Sequence, residues 1–253
     1  MPSASSLLVE AVRYCCEADR VIHRLLSAAG YRRRFYSTKG QDRWVIERVF
    51  DSRRGGYFVE IGAADGCTHS NTYALERDFN WTGIVIEANP TYISELYRNR
   101  TCHCVHTCVD GQPGEVSFFN FGFMGGIVGQ DTDNASSKRA QLLEKHGHRV
   151  ANMQTRSLQE ILESARAPAV IDYLSIDVEG AEHRILAAFP FDRFRFESIT
   201  VERPTPAVHG LLKKAGYVLD RIHRYDGFYL SSSRASKLGI RERPFAGVSA
   251  KFF

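Results

Sequence analysis

Short apolar runs in this sequence end in acids. Tyr57-Phe58-Val59-Glu60-Ile61 leads into Gly62-Ala63-Ala64-Asp65-Gly66, and Gly83–Ile86 ends in Glu87. His103–Val109 ends in Asp110, Val170–Ile176 in Asp177-Val178-Glu179-Gly180, and Ser198–Val201 in Glu202. If each run is a strand of one parallel sheet, these ends lie along one edge, where ligands of such sheets bind. Carboxylates gathered along one rim form an acidic cleft, and such a cleft attracts a cation.

The glycine loop bears on which cofactor the cleft takes. A dinucleotide site asks for Gly-x-Gly-x-x-Gly, so that backbone and helix N-terminus approach a pyrophosphate. Here those positions hold Gly62, Ala64 and Cys67, so two of three glycines are missing, and Glu60 and Asp65 would repel a phosphate. S-adenosylmethionine carries no phosphate; it carries a sulfonium and an ammonium, which acidic walls favour. Gly62 and Gly66 would let the backbone approach the ligand. Glu87 would accept hydrogen bonds from the ribose hydroxyls, as an acid does at the second strand of dinucleotide folds. Ala63 and Ala88, in the same two loops, are counted with the cofactor residues, and Asp110 with them as an alternative to a plain turn residue before Gly111.

Methyl transfer from a sulfonium is an in-line displacement governed by positioning. A hydroxyl acceptor gains from a general base. Asp177, Glu179, Glu202 and a histidine are the candidates, with Asp177 first because it ends a central strand. Glu179 and Glu182 also suit the capping of the helix that follows. An alternative places a divalent cation between Asp177 and Glu202, where hard oxygen ligands suit magnesium or calcium. Cys102-His103-Cys104-Val105-His106-Thr107-Cys108 invites a zinc reading. Alternate residues of one strand cannot wrap a tetrahedral ion, so these are read as packing thiols.

The elements that position these residues alternate from residue 57 onward. Helices are expected around Asn71–Phe79, Pro90–Asn99, Ser157–Ala165, Gly180–Phe189 and Ala207–Ala215. Further strands are expected at Gly114–Phe121 and Val150–Gln154, and a closing pair at Tyr217–His223 and Gly227–Ser231. Gly122–Ser137, rich in Gly, Asp, Asn and Ser, reads as a long loop of the kind that shapes a binding site. The expected architecture is α/β: a mostly parallel seven-stranded sheet with helices on both faces and a C-terminal antiparallel hairpin.

Residues 5–29 follow a helical apolar stripe and precede Arg32-Arg33-Arg34, so residues 1–35 read as a helical extension and residues 36–253 as the main domain. That extension is a candidate homo-oligomer contact. The formal charge of +4 gives no argument for nucleic acid. Six cysteines in a chain of 253 residues read as reduced thiols, and neither a secretory signature nor a membrane-length apolar run is present, which points to the cytoplasm.

Several of these stretches resemble the FkbM family of methyltransferases. They are Tyr57–Gly66, Ser70-Asn71-Thr72, Leu75-Glu76, Trp81–Pro90, Leu174–Glu182 and the upstream Tyr36-Ser37-Thr38-Lys39-Gly40-Gln41-Asp42. The resemblance spans about residues 36–231. It implies a Rossmann-like class I methyltransferase fold, S-adenosylmethionine as cofactor and, for most members, O-methylation. By position it implies cofactor contacts at Glu60, Gly62, Asp65, Ser70, Asn71, Glu87 and Asp110, with Gln41 in the upstream segment and Asp177 at the floor of the reaction site. Where the family often has lysine this chain has Ser175, so no substrate preference carries over. The expectation is O-methylation of a small-molecule or carbohydrate-like acceptor, without nucleic acid or membrane as partner. A non-catalytic cofactor-binding protein on the same fold and a nucleic-acid methyltransferase are the alternatives.

Overall fold

The computed structural model describes residues 35–133 and 137–247. The expected helix at 5–29, with its oligomer role and the arginine run, lies outside the described residues. Seven strands form the main sheet: β1 (Tyr57–Ile61), β2 (Thr82–Glu87), β3 (His103–His106), β8 (Val170–Ile176), β9 (Arg195–Glu202), β10 (Tyr217–His223) and β11 (Asp226–Ser231). Their order is β10-β11-β9-β8-β1-β2-β3. All pairings are parallel except β9 with β11 and β11 with β10. The mostly parallel seven-stranded sheet and its closing hairpin are therefore as expected.

Strand alternation divides the core in two. Val59 and Ile61 of β1, with Ile84, Ile86, Leu174 and Ile176, face α5 (Leu158–Ser164), α6 (Glu182–Ala187) and α7 (Pro206–Lys214). Phe58, Val85, Tyr173 and Phe228 face the other side. There they meet α1 (Gln41–Arg43, continued by a π-helical stretch Trp44–Val49), α2 (Tyr73–Phe79), α3 (Pro90–Asn99) and α8 (Ser232–Lys237). Both faces of a parallel sheet are covered in this way, which is why its strands read as near-continuous apolar runs. The same alternation puts Glu60 on the α2–α3 side with Phe58.

Local signals set the helix starts. Asn89 accepts from the Thr91 N–H at 3.0 Å ahead of Pro90, and Thr205 accepts from the Val208 N–H at 3.2 Å ahead of Pro206. Ser157 and Glu160 form a reciprocal capping box at α5.

Three expectations on the β3 side are corrected. The run His103–Val109 is not one strand. β3 ends at His106, and β4 (Cys108–Val109) leaves for a second sheet, because β2 turns into α3 and offers no further partner. The expected strands 114–121 and 150–154 become β5 (Gly114–Phe119) and β7 (Val150–Arg156) of that second sheet, with β6 (Gly126–Ile127), in the order β4-β7-β5-β6. The supposed loop at 122–137 contains a 3₁₀ turn at Gly122–Met124 and β6, and α4 (Ser137–His146) follows it. α4 and α8 carry no strong apolar stripe, so periodicity gave no signal for them. Cys102, Cys104 and Cys108 are free thiols; Cys102 and Cys104 pack with Cys67 on one core cluster and Cys108 belongs to the other.

The ends of β1, β2 and β8 are locked together by backbone. Asp177 N–H donates to the Ile61 carbonyl at 3.1 Å, and the N–H groups of Gly62 and Ala63 donate to the Ile86 carbonyl at 3.0 and 3.1 Å. Gly62 has φ +86°, and a Cβ there would lie 1.9 Å from the Asp177 carbonyl oxygen. Gly62→Ala is therefore expected to destabilise the chain by about 3 kcal/mol or more, read as a lowered midpoint in urea denaturation. A loss below about 0.5 kcal/mol would contradict this junction.

Candidate functional site

A cavity of about 380 Å³ opens at the carboxyl ends of β1, β2, β8 and β9, within the range of small-molecule sites. Gly62, Ala63, Glu87, Ala88, Asp177 and Glu202 are in its wall. On the β2 side Glu87 is buried, and its two oxygens accept from the Ala64 N–H at 2.7 Å and the Asn89 N–H at 2.6 Å. Burial raises its carboxyl pKa while these backbone hydrogen bonds oppose the rise. The carboxylate thus fixes both loops and keeps lone pairs for a ligand.

Glu60 lines the cavity, but its charge is already matched. It accepts from Ser70 Oγ at 2.8 Å and the Asn71 N–H at 2.6 Å, and pairs with Arg100 Nη1 at 3.2 Å. The Arg100 side chain is fully buried and also pairs with Glu76. Burial opposes ionisation of Glu76, yet Arg100 and the Thr101 hydrogen bonds outweigh it and lower the pKa to about 2. Asn71 Nδ2 donates to Ser175 Oγ at 2.8 Å, so Ser70, Asn71 and Ser175 reach the wall as one bonded set.

Three expected cofactor residues are not in the wall. Asp65 turns inward, and its carboxylate accepts from the N–H groups of Cys67 and Thr68 at 2.9 and 2.7 Å, shaping the loop. Gly66 is required by packing rather than ligand approach: a Cβ there would lie 2.7 Å from both Arg100 and Leu96 side chains. Asp110 pairs with Arg184 Nε at 3.0 Å beside α6. The adjoining Thr107, Cys108 and Val109 line the cavity instead, because the break between β3 and β4 swings Asp110 away.

At the β8–β9 end, carboxylate oxygens of Asp177, Glu179 and Glu202 all lie within 4.8 Å of one another. Burial, then the charges of Glu202 and Glu179, raise the Asp177 pKa well above the usual carboxylate range. Glu182 is buried under this floor and accepts from the Val178 N–H at 3.0 Å and the Gly180 N–H at 3.3 Å, so it caps the turn. His183 is exposed.

Asp226 and Tyr225 line the cavity, although the sequence does not single them out as site residues. Asp226, just ahead of the closing strand expected from Gly227, opens β11 directly opposite Glu202. It is buried and bonded to Gln41 Nε2 through Oδ2, while Oδ1 has no hydrogen-bond partner. Burial first, then the charge of Glu202, pushes its carboxyl up to about 7. Beside it, Lys39 Nζ lies 4.4 Å from the centroid of the Tyr225 ring. Across the cavity Phe123 stacks on Tyr92 at 5.2 Å, giving the β2 end an aromatic wall. Only antiparallel register could have found Asp226, and only the second sheet brings Phe123 to Tyr92.

No curated protein matches the chain. Among solved structures it is similar to the FkbM methyltransferase of Methylobacillus flagellatus KT, at 14% identity and TM-score 0.43, over 74% of this chain and 47% of that one. It is similar to the precorrin-6y C5,15-methyltransferase of Geobacter metallireducens GS-15, at 12% identity and TM-score 0.40, over 74% and 83% of the two chains. A TehB-like SAM-dependent methyltransferase of Corynebacterium glutamicum shares 10% identity at TM-score 0.40, over 87% and 98%. Likenesses this loose carry no weight in assigning a function. The Methyltransferase FkbM domain, however, matches residues 60–219, from the end of β1 into β10, and takes in Glu87, Asp177 and Glu202 of the cavity wall. The chain belongs to the FkbM methyltransferase family, and S-adenosylmethionine is its cofactor.

Proposed function

We propose that the chain O-methylates a hydroxyl of a small, carbohydrate-like molecule, with Asp177 as general base. The observation that carries this reading is the close set of Asp177, Glu179 and Glu202 at one end of the cavity, with the proton affinity of Asp177 raised. A carboxylate of raised pKa takes a hydroxyl proton more readily than an ordinary one. S-adenosylmethionine supplies a methyl group on a positively charged sulfur. Glu87 would hold the ribose hydroxyls, while Gly62, Ala63 and Ala88 give close backbone approach and Ser70 and Asn71 complete the wall. Gln41 serves through Asp226, whose unpartnered Oδ1 suits a second acceptor hydroxyl. Glu60, Asp65, Gly66 and Asp110 act by holding loops, at one remove from the ligand.

The fit to the cofactor rests on the donor set. The cavity wall offers the Glu87 carboxylate to a cationic ligand, keeps Asp177 for the acceptor, and has Lys39 as its one lysine or arginine among the described residues, at the end where Tyr225 and Asp226 stand. Free thiols, and the absence of any described helix long and apolar enough to cross a membrane, support a cytoplasmic site of action.

The reading is tested by incubating the protein with S-adenosylmethionine and a panel of glycosides and sugar phosphates. Release of S-adenosylhomocysteine and an O-methyl signal by NMR are expected, and methylation confined to nitrogen would overturn the reading. Glu87→Ala should weaken S-adenosylmethionine binding about tenfold or more by calorimetry. Asp177→Asn should lower kcat by about 10²–10⁴ with cofactor affinity within about threefold. Equal losses in turnover and cofactor affinity would remove Asp177 from the role of base.

Asp226 also predicts a pH dependence of stability. Its carboxyl holds a proton more tightly folded, at about 7, than at its ordinary value of 3.8. Such a group adds stability that is complete below 3.8 and is lost as the pH rises to about 7. Asp226→Asn should flatten that decline by roughly 1–4 kcal/mol between acid and neutral pH, measured by urea denaturation. A wild-type curve that already runs parallel to the variant's would refute the assignment.

A further inference from the structure

The carboxylates of Asp177, Glu179 and Glu202 are close enough together to share a divalent cation. A cationic group already stands against two of them, Glu179 and Glu202. Arg203 Nη2 lies 2.6 Å from Glu202 Oε2 and 2.6 Å from Asp133 Oδ2, and it donates to Glu179 as well. Three carboxylates from three segments thus converge on one guanidinium nitrogen. A guanidinium keeps its charge at every physiological pH, so this cation cannot dissociate as a metal does.

The backbone is bent to put it there. Arg203 has φ +45° and Glu179 φ +60°, two non-glycine residues in the left-handed region within one cluster. Such a conformation is unfavourable for a residue with a side chain and persists only where the surroundings impose it. The Arg203 N–H donates to the Tyr225 carbonyl at 2.9 Å, which pins the turn leaving β9. The Asp133 N–H donates to the Glu179 carbonyl at 3.1 Å, and Gly180 leaves no room for a Cβ, which would lie 2.5 Å from the Asp133 nitrogen. The segment carrying Asp133 is therefore fastened to the floor by backbone as well as by Arg203.

We propose that Arg203 is a built-in cation that takes the place a divalent metal would occupy, making it a positioning residue for Glu179 and Glu202. It neutralises the outer part of the cluster and aims Glu202 beside Asp177, so the floor is assembled without a metal. The alternative of a cation between Asp177 and Glu202 is thereby set aside, since Glu202 is already committed to Arg203.

The test uses metal alone and needs neither methyl donor nor acceptor, so its failure is distinct from failure of the methyl-transfer reading. Wild type, Arg203→Gln, and Arg203→Gln combined with Glu202→Gln are titrated with Mn²⁺ by calorimetry and by electron paramagnetic resonance of free Mn²⁺. Wild type is expected to show no saturable binding below about 1 mM. Arg203→Gln should bind Mn²⁺ at least about tenfold tighter, and the added Glu202→Gln should abolish the gain. Saturable micromolar binding to wild type that Glu202→Gln removes would overturn the proposal, as would a folded Arg203→Gln that binds no better than wild type. Should Arg203→Gln fail to fold, Arg203→Lys is read in its place. Its shorter, point-like ammonium cannot span three carboxylates, so Mn²⁺ affinity about threefold above wild type is expected, and equality overturns the proposal.

Discussion

The close approach of Gly62 to the Asp177 carbonyl is the constraint on which the site depends. Strand ends in a parallel sheet have no partner for their last backbone groups unless neighbouring loops supply one. Here β1, β2 and β8 supply one another, through Asp177 to Ile61 and through Gly62 and Ala63 to Ile86. Any side chain at position 62 would part the β1 and β8 loops. Because they stay together, Glu87 and Asp177 open onto one cavity, the first able to meet a cofactor and the second an acceptor.

Charge is distributed in two separate neutralised sets rather than along a uniform acidic rim. Arg100, fully buried, is bound by Glu60 and Glu76 behind the glycine loop. Removing one partner of such a buried set leaves an uncompensated charge, which is far more costly than the pair is stabilising. Arg203 serves the second set at the floor, with Glu179, Glu202 and Asp133. What remains for a ligand is narrower than the strand-end acids suggest: Glu87 at the cofactor's end and, at the acceptor's, Asp177 with Asp226 nearby. Catalytic arrangements often set acids in environments that push their pKa values apart, and the contrast between Glu76, lowered to about 2, and Asp226, raised to about 7, shows both directions within one domain.

The main sheet was legible because its strands are apolar runs of the right length bounded by turn residues; β1, β8 and β10 have the bounds expected of them. The helices that cross between them were legible from caps and prolines. The second sheet was not, because β4 and β6 are two residues long and owe their existence to β5 and β7. Within the site, Glu87, Asp177 and Glu202 were legible as strand-end acids. The same rule failed for Asp110, since it assumed that β3 runs on to Val109, and it failed in emphasis for Glu60, because a partner 40 residues away absorbs its charge.

The sequence by itself determined the family, the order of strands and helices, and which acids stand at strand ends, because these follow from local patterns of period two and 3.6 and from contiguous motifs. Tertiary structure alone decided which of those acids keep charge for a ligand. That depends on where Arg100 and Arg203 arrive, and on the antiparallel register that sets Asp226 opposite Glu202. Pairings between residues far apart in the chain are fixed by packing and desolvation, which no local pattern encodes.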